Sequence, residues 1–234
     1  VINAAAYTDV DKAEKETETA TIINSHAPNI MAQTCADVGI PFIHLSTDYV
    51  FSGKGQVPWK TNDKTIPQNR YGLSKLAGEK AICDSGANYA ILRTSWIFSP
   101  HRINFVNSML KLSKKQKLLS VVNDQIGGPT FAKDVASTCL FIASALKKEP
   151  KKSGIYHFCG KPFISWYDFA KSIFKQASYE VEIKPLLSKD YPTKAKRPLN
   201  SRMDCNKIKK VFGISQPEWE IGLKETLKEL EVIS

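Results

Sequence analysis

The stretch PFIHLSTDYVFSG, Pro41 to Gly53, changes character half-way along. Pro41 to Leu45 is mostly apolar, whereas Ser46, Thr47, Asp48 and Tyr49 follow as two hydroxyls, a carboxylate and a phenol. A short apolar run that ends in a polar cluster has the length of a buried strand rather than of a helix. Strands that read as near-continuous apolar runs belong to parallel sheets covered on both faces. The reading PFIHLS as strand, Pro41 to Ser46, therefore puts the cluster at a strand's carboxyl end, where a doubly wound sheet meets its ligand. The plainer reading of the cluster is a polar turn in which Asp48 caps backbone amides.

Elements on both sides agree with a parallel sheet. Upstream, Val1 to Ala6 reads as the second half of a buried strand, and Asp11 to Val38 as a helical stretch. Downstream come a helix from about Asn69 to Asp84, a strand YAILRTSWIF from Tyr89 to Phe98 and a helix from Asn104 to Lys114. KLLSVV and then TFAKDVASTCLFIASAL add another strand and helix. Strands alternating with helices predict an α/β fold with a doubly wound parallel sheet and right-handed crossovers. After Pro150 the rhythm changes: a strand GIYHFCG, a Ser-capped helix SWYDFAKSIFKQA, an extended YEVEIKPL and two closing helices, Cys205 to Phe212 and Glu218 to Glu231. We therefore expect residues 1–150 to form a partial dinucleotide-binding domain with the catalytic residues, and 151–234 a small α/β lobe that mainly binds substrate.

Composition narrows the function classes. The 234 residues, 42% hydrophobic and 24% charged, suffice for one large core, or one core with an appendage. The net charge of +10 raises nucleic acid as a partner, but the lysines fall in scattered groups and no aromatic and basic residues interleave on a strand. A solvated basic surface suited to phosphorylated ligands is the preferred reading, without nucleic-acid binding. Five cysteines, without CxxC spacing or a Cys/His ligand pattern, read as reduced thiols, no metal site and a cytoplasmic location. No apolar run has the length of a membrane span.

The helix after the polar cluster opens with RYGLSKLAGEK, which sets Tyr71 and Lys75 four residues apart on one face. A neighbouring ammonium favours a phenolate, so Lys75 would lower a tyrosine pKa from about 10 towards neutrality and make Tyr71 a usable acid. With the Thr47 hydroxyl as a second hydrogen-bond donor, the three describe a carbonyl-reducing site. Two other strand ends offer ligand contacts. Ala4, Ala5 and Ala6 followed by Tyr7 leave room for a cofactor ring or ribose, although small residues equally suit a crowded strand end. Trp96 could stack on a sugar or base, or fill the core.

The runs STDYVFSG, YGLSKLAGE, ILRTSWIFSPHRINFVNSML, VVNDQIGGPT and KRPLNSRMD, with NAAAYTDVDKAE ahead of them, resemble in order the signatures of the dTDP-4-dehydrorhamnose reductases. These belong to the extended short-chain dehydrogenase/reductase superfamily, whose sheets are Rossmann-like. The resemblance implies reduction of dTDP-4-dehydro-6-deoxy-L-mannose at C4 to dTDP-L-rhamnose, a step towards cell-surface polysaccharide, with hydride from NADPH or NADH. It implies Tyr71 as the acid, Lys75 as its tuning cation and ribose ligand, and Thr47 in the place often held by serine. Ala4, Ala5, Ala6, Tyr7, Ser46, Tyr71 and Lys75 would then lie on the cofactor side. Thr47, Asp48, Tyr49 and Trp96 would border the sugar, with Asn104, Gln125 and Arg197 towards the nucleotide. A homodimer is a further expectation.

One element of the pattern is missing from these residues. A dinucleotide cradle needs a glycine-rich turn between a first strand and its helix. Gly53 and Gly55 follow the wrong strand, and Pro58 interrupts any G-x-G-x-x-G frame there. We therefore expect an N-terminally truncated sheet that starts mid-domain, its first strand lying at an edge covered by another copy, a tag or a C-terminal segment. By ordinary unit size the missing part is about 60 residues. Two alternatives stay open: a non-catalytic regulatory subunit on the same scaffold, and another nucleotide-sugar reductase or epimerase.

Overall fold

Ile2–Asn3, Phe42–Thr47, Tyr89–Thr94 and Gly154–His157 lie side by side in that order as a parallel sheet, in a computed structural model that describes residues 1–233. The register sets Phe42 beside Tyr89 and Thr47 beside Thr94, so the two central strands end level with one another. Alternation sends neighbouring side chains to opposite faces. Phe42 and Ile91 meet Ala32, Cys35 and Ile82 from the helices Ala27–Asp37 and Arg70–Asp84 on one face. Ile43, Ala90 and Leu92 meet Val135, Cys139 and Ile142 of the helix Ala132–Lys148, and Ile208 of Asn206–Phe212, on the other. Each fully buried Phe, Ile, Leu or Val among these contributes about 1.5–3 kcal/mol.

The helix Arg70–Asp84 begins where Asn69 accepts a hydrogen bond from Gly72 N at 2.8 Å. It sits unusually close to its neighbours. A Cβ on Gly72 would lie 2.3 Å from Tyr49 O, and one on Gly78 2.1 Å from Asn24 O, so glycine is required at both. The helix is then locked to the sheet by charge. Arg93 Nε and Nη2 donate to Glu79 Oε1 and Oε2 at 2.9 and 2.6 Å, both side chains are buried, and Ser46 Oγ adds a third bond to Oε1 at 2.5 Å. Such a bidentate pair is among the stronger polar contacts, and it fixes the angle of both partners.

A second core forms around the helix Trp166–Ala177, where Phe169 and Phe174 pack with Phe98, Val106, Leu119 and Trp219. Here Leu118–Val122 pairs in parallel with Glu182–Leu186, and Phe105–Ser113 lies against Trp166–Ala177. The chain thus crosses the expected boundary at residue 150 in both directions. Gly154–His157 completes the main sheet, whereas residues 105–122 belong with the C-terminal elements.

Several expected elements are shorter or broken. The strand Tyr89–Phe98 is interrupted after Thr94: Trp96 takes φ 51°, and Ile97–Phe98 turns away to pair with Thr130–Phe131. The stretch Asp11–Val38 is not one helix but Val10–Ala13, Thr17–Thr21, a π turn over Ile22–His26 and then Ala27–Asp37. Of Val1 to Ala6, Ile2–Asn3 alone pairs, and with Phe42–Thr47 on one side only. Among the described residues no strand lies on its other side, so the expected cover by a C-terminal segment is absent. All five cysteines are free.

Because removing one partner strands a buried charge, Glu79→Leu and Arg93→Leu should each cost about 3–5 kcal/mol in urea unfolding. The pair replaced together by apolar residues should cost less than either single change.

Candidate active site

The level ends of the central strands open into a cavity of about 360 Å³ bordered by Ser46, Thr47, Asp48, Tyr71, Thr94 and Trp96. Thr47 is the last strand residue; its hydroxyl donates to Asp48 Oδ1 at 3.2 Å and accepts from Tyr49 N at 3.2 Å. Tyr71, in the first turn of its helix, reaches the same cavity and meets Tyr49 edge-on, ring centres 5.6 Å apart. Trp96 lies flat on Trp166, centroids 3.6 Å apart, so an aromatic slab closes the cavity on the side of the second core. Gly127 makes that slab fit, since a Cβ there would come within 2.7 Å of the Trp96 ring. Asp48 Oδ2 and Thr94 Oγ1 are buried without a hydrogen-bond partner. Buried polar atoms left without a partner cost free energy, and these two lie beneath the cavity surface.

Burial dominates the titration of these groups. It pushes Asp48 up to about 6 and Tyr71 up to about 12, with the Asp48 charge adding to the rise of Tyr71 and the Thr47 hydroxyl opposing it. The expected lowering of Tyr71 by Lys75 is therefore not found. Lys75 lies on the inner side of the helix, almost fully buried, and its Nζ donates to Leu45 O at 2.7 Å and lies 3.0 Å from His44 Nε2. Burial pulls Lys75 itself down to about 8. A phenol near 12 is fully protonated at neutral pH, the state required of a proton donor.

A second cavity, of about 510 Å³, continues past Tyr49 and Trp166 to Gln125 and Arg197. Arg197 Nη2 donates to Asp11 Oδ2 at 2.6 Å, and Gln125 Nε2 donates to Ser188 Oγ at 2.9 Å. Both cavities are wide enough for parts of one extended polar ligand. Asn104 borders neither: its Oδ1 accepts from Asn107 N and its Nδ2 donates to Ser99 O, which makes it the cap of Phe105–Ser113. The loop after the first strand also differs from expectation. Ala4 faces a separate apolar groove with Ile2 and Val135, Ala5 N donates to Asn3 Oδ1, and the Tyr7 phenol donates to Glu16 Oε2 at 2.7 Å. Thr8, one residue further, is the loop's contact with the first cavity.

For a dinucleotide, the residues present fit the nicotinamide and ribose end, where Ser46 and Thr47 at a strand end and Tyr71 on the facing helix border one cavity. Sequence reasoning missed Thr94, Trp166 and Asn24, whose amide clasps the Tyr7 backbone in both directions. It also passed over His44 and Arg93, although a polar residue inside an otherwise apolar strand is a readable signal. Trp166 carries no such signal.

Residues 1–232 match the sequence profile of the RmlD substrate binding domain family. The chain belongs to that family. A dTDP-4-dehydrorhamnose reductase of Aggregatibacter actinomycetemcomitans is 44% identical over 231 residues, 96% of this chain and 79% of that protein. The crystal structure of such a reductase from Clostridium acetobutylicum superposes with a TM-score of 0.92 at 35% identity, covering 99% of this chain and 80% of that one. A reductase from Bacillus anthracis, solved in complex with NADP, gives 0.90 at 35% identity, over 97% and 79% of the two chains. This RmlD-family chain is thus an α/β protein of the Rossmann-like kind, as its sequence predicts.

The Asp48 carboxyl has a stability signature of its own. Its folded pKa, about 6, lies above the unfolded value, so folding favours the protonated form. Its contribution to stability should fall by roughly 3 kcal/mol as pH rises from about 3.5 to about 7, and no further above that. Asp48→Asn should lack this fall, and the difference between the two proteins in urea unfolding at pH 3.5 and pH 7 measures it.

Proposed function

We propose that this chain carries the catalytic face of a dTDP-4-dehydrorhamnose reductase, which reduces dTDP-4-dehydro-6-deoxy-L-mannose at C4 to dTDP-L-rhamnose. The observation that carries the reading is the meeting of the Thr47 hydroxyl and the Tyr71 phenol at one strand-end cavity, in a member of the RmlD family. Reduced NADPH or NADH, when bound, supplies the hydride to C4. The chain's own residues do the rest. Tyr71 gives its proton to the developing C4 alkoxide, and its high pKa keeps that proton in place until the alkoxide forms. Thr47 adds a hydrogen bond to the same oxygen, where negative charge grows in the transition state.

The sugar is read as lying against Tyr49 and the Trp96–Trp166 slab, with Asp48 beside it on the cavity wall. The diphosphate and base extend into the larger cavity towards Gln125 and Arg197, whose guanidinium suits a phosphate once Asp11 shares it. Lys75 acts from below, on the cofactor side of Tyr71. Association of two copies belongs to the same proposal, supported by the exposed Ile22, Ile30 and Leu73 on adjoining helices. So does a cytoplasmic location, supported by five unpaired thiols; no helix of the described residues is long and apolar enough to cross a membrane.

The test is NADPH oxidation with the 4-keto sugar nucleotide, for residues 1–234 alone and with a glycine-rich βα unit joined ahead of Val1. Residues 1–234 alone should bind NADPH weakly in calorimetry, because no glycine-rich cradle lies among them. With the added unit, Tyr71→Phe should lower kcat by about 10²–10⁴-fold and leave sugar-nucleotide binding within about threefold. Trp96→Ala should instead raise KM, by removing the stacked wall, and leave the acid in place. Equal activity of the Tyr71→Phe variant and its parent would exclude this chemistry.

A further inference from the structure

Behind the catalytic tyrosine, a line of three polar side chains runs inward from helix to strand to strand edge. Lys75 Nζ lies 3.0 Å from His44 Nε2, and His44 Nδ1 lies 3.1 Å from Asn3 Nδ2. All three side chains are buried, His44 completely. The orientation of the Asn3 amide is set by its other end: Oδ1 accepts from Ala5 N at 3.1 Å, which leaves Nδ2 to face the imidazole. An amide NH₂ can only donate, so His44 Nδ1 must accept, and the proton of the neutral ring sits on Nε2. Nε2–H then points at Lys75 Nζ, which can accept it only as a neutral amine.

We infer that His44 is a positioning residue that couples the charge on Lys75 to the anchoring of the loop Ala4–Tyr7. A charged Lys75 has three donors and no acceptor, so His44 Nε2 must then accept and the ring proton must move to Nδ1. An Nδ1–H requires an acceptor, and the Asn3 amide supplies one only by turning its oxygen towards the ring. That turn brings the NH₂ group against Ala5 N–H, so the bond at the near end of the loop is lost while the Asn24 clasp on Tyr7 at its far end stays. Charge on Lys75 and the Asn3–Ala5 anchor therefore exclude one another.

The surroundings leave this network to itself. Glu79, on the same helix, favours the charged lysine but spends both oxygens on Arg93 of the next strand and one also on Ser46. Tyr71 is a neutral phenol one turn away, and Asn24 of the π turn and Ser74 of the same helix bond to each other and to backbone. Burial and the lysine charge keep His44 from taking a second proton. The coupling adds to the proposed reductase function, since the loop lies on the expected cofactor side and Lys75 beneath the acid. It depends on that reading for its purpose and not for its existence.

The test uses the cofactor-free chain, so its outcome is separate from any assay of reduction. Long-range ¹H–¹⁵N spectra report the His44 tautomer, and ¹⁵N-lysine spectra the Lys75 charge. Between pH 6.5 and 9.5, across the Lys75 midpoint of about 8, His44 should pass from Nδ1–H to Nε2–H while the Ala5 amide gains protection. Asn3→Asp, which can only accept at both contacts, should hold His44 as Nδ1–H throughout and raise the proton affinity of Lys75 by about tenfold or more. One unchanging tautomer in the parent chain while Lys75 titrates overturns the inference, as does a folded Asn3→Asp variant that still shows Nε2–H. Should that variant not fold, the parent chain's spectra decide alone.

Discussion

The Glu79–Arg93 pair is the contact on which the catalytic geometry depends. It joins the helix carrying Tyr71 to the strand ending at Thr94 and, through Ser46, to the strand ending at Thr47. A buried bidentate pair tolerates little change of angle, because any slip leaves charge unmet in a low-dielectric interior. Gly72 and Gly78 make the close approach sterically possible, and the ion pair fixes it. With helix and strands held in one frame, a hydroxyl on a strand end and a phenol on a helix reach a shared cavity without either lying on a mobile loop.

Burial then does most of the chemical tuning. The same desolvation that raises Tyr71 and Asp48 lowers Lys75 and His44, so each is pushed towards its neutral form. A Tyr71 that keeps its proton suits the proposed reduction, in which an acid acts only after charge has developed on oxygen. Lys75 sits in the protein interior, held by Leu45 and His44 of the central strand Phe42–Thr47 and, through His44, linked to Asn3 of the edge strand. Its surroundings are as much a part of the site as the cavity wall.

Much of this was legible along the chain. The run from Ser46 to Tyr49 announced a strand end, and YGLSK placed Tyr71 and Lys75 on a helix capped at Asn69. Strand and helix alternation predicted the sheet. Other readings failed where a side chain had two equally good uses. Asn104 has the chemistry of a ligand contact and of a helix cap, and the helix took it. Tyr7 stands beside the expected cofactor loop, yet its phenol is held by Glu16. Trp96 does stand at the cavity, but by way of a left-handed backbone and a stacked partner seventy residues on.

By itself the sequence determined that Ser46 to Tyr49 follow a strand, where the Tyr71 helix begins and that the main sheet is parallel, because period, capping and apolar runs are local properties. The tertiary structure alone decided which way Lys75 turns, that Glu79 meets Arg93, that two tryptophans form one wall and that the chain crosses residue 150 twice. These depend on pairs distant in sequence and on the space between them, and desolvation, which sets the charge states, exists only once that space has closed.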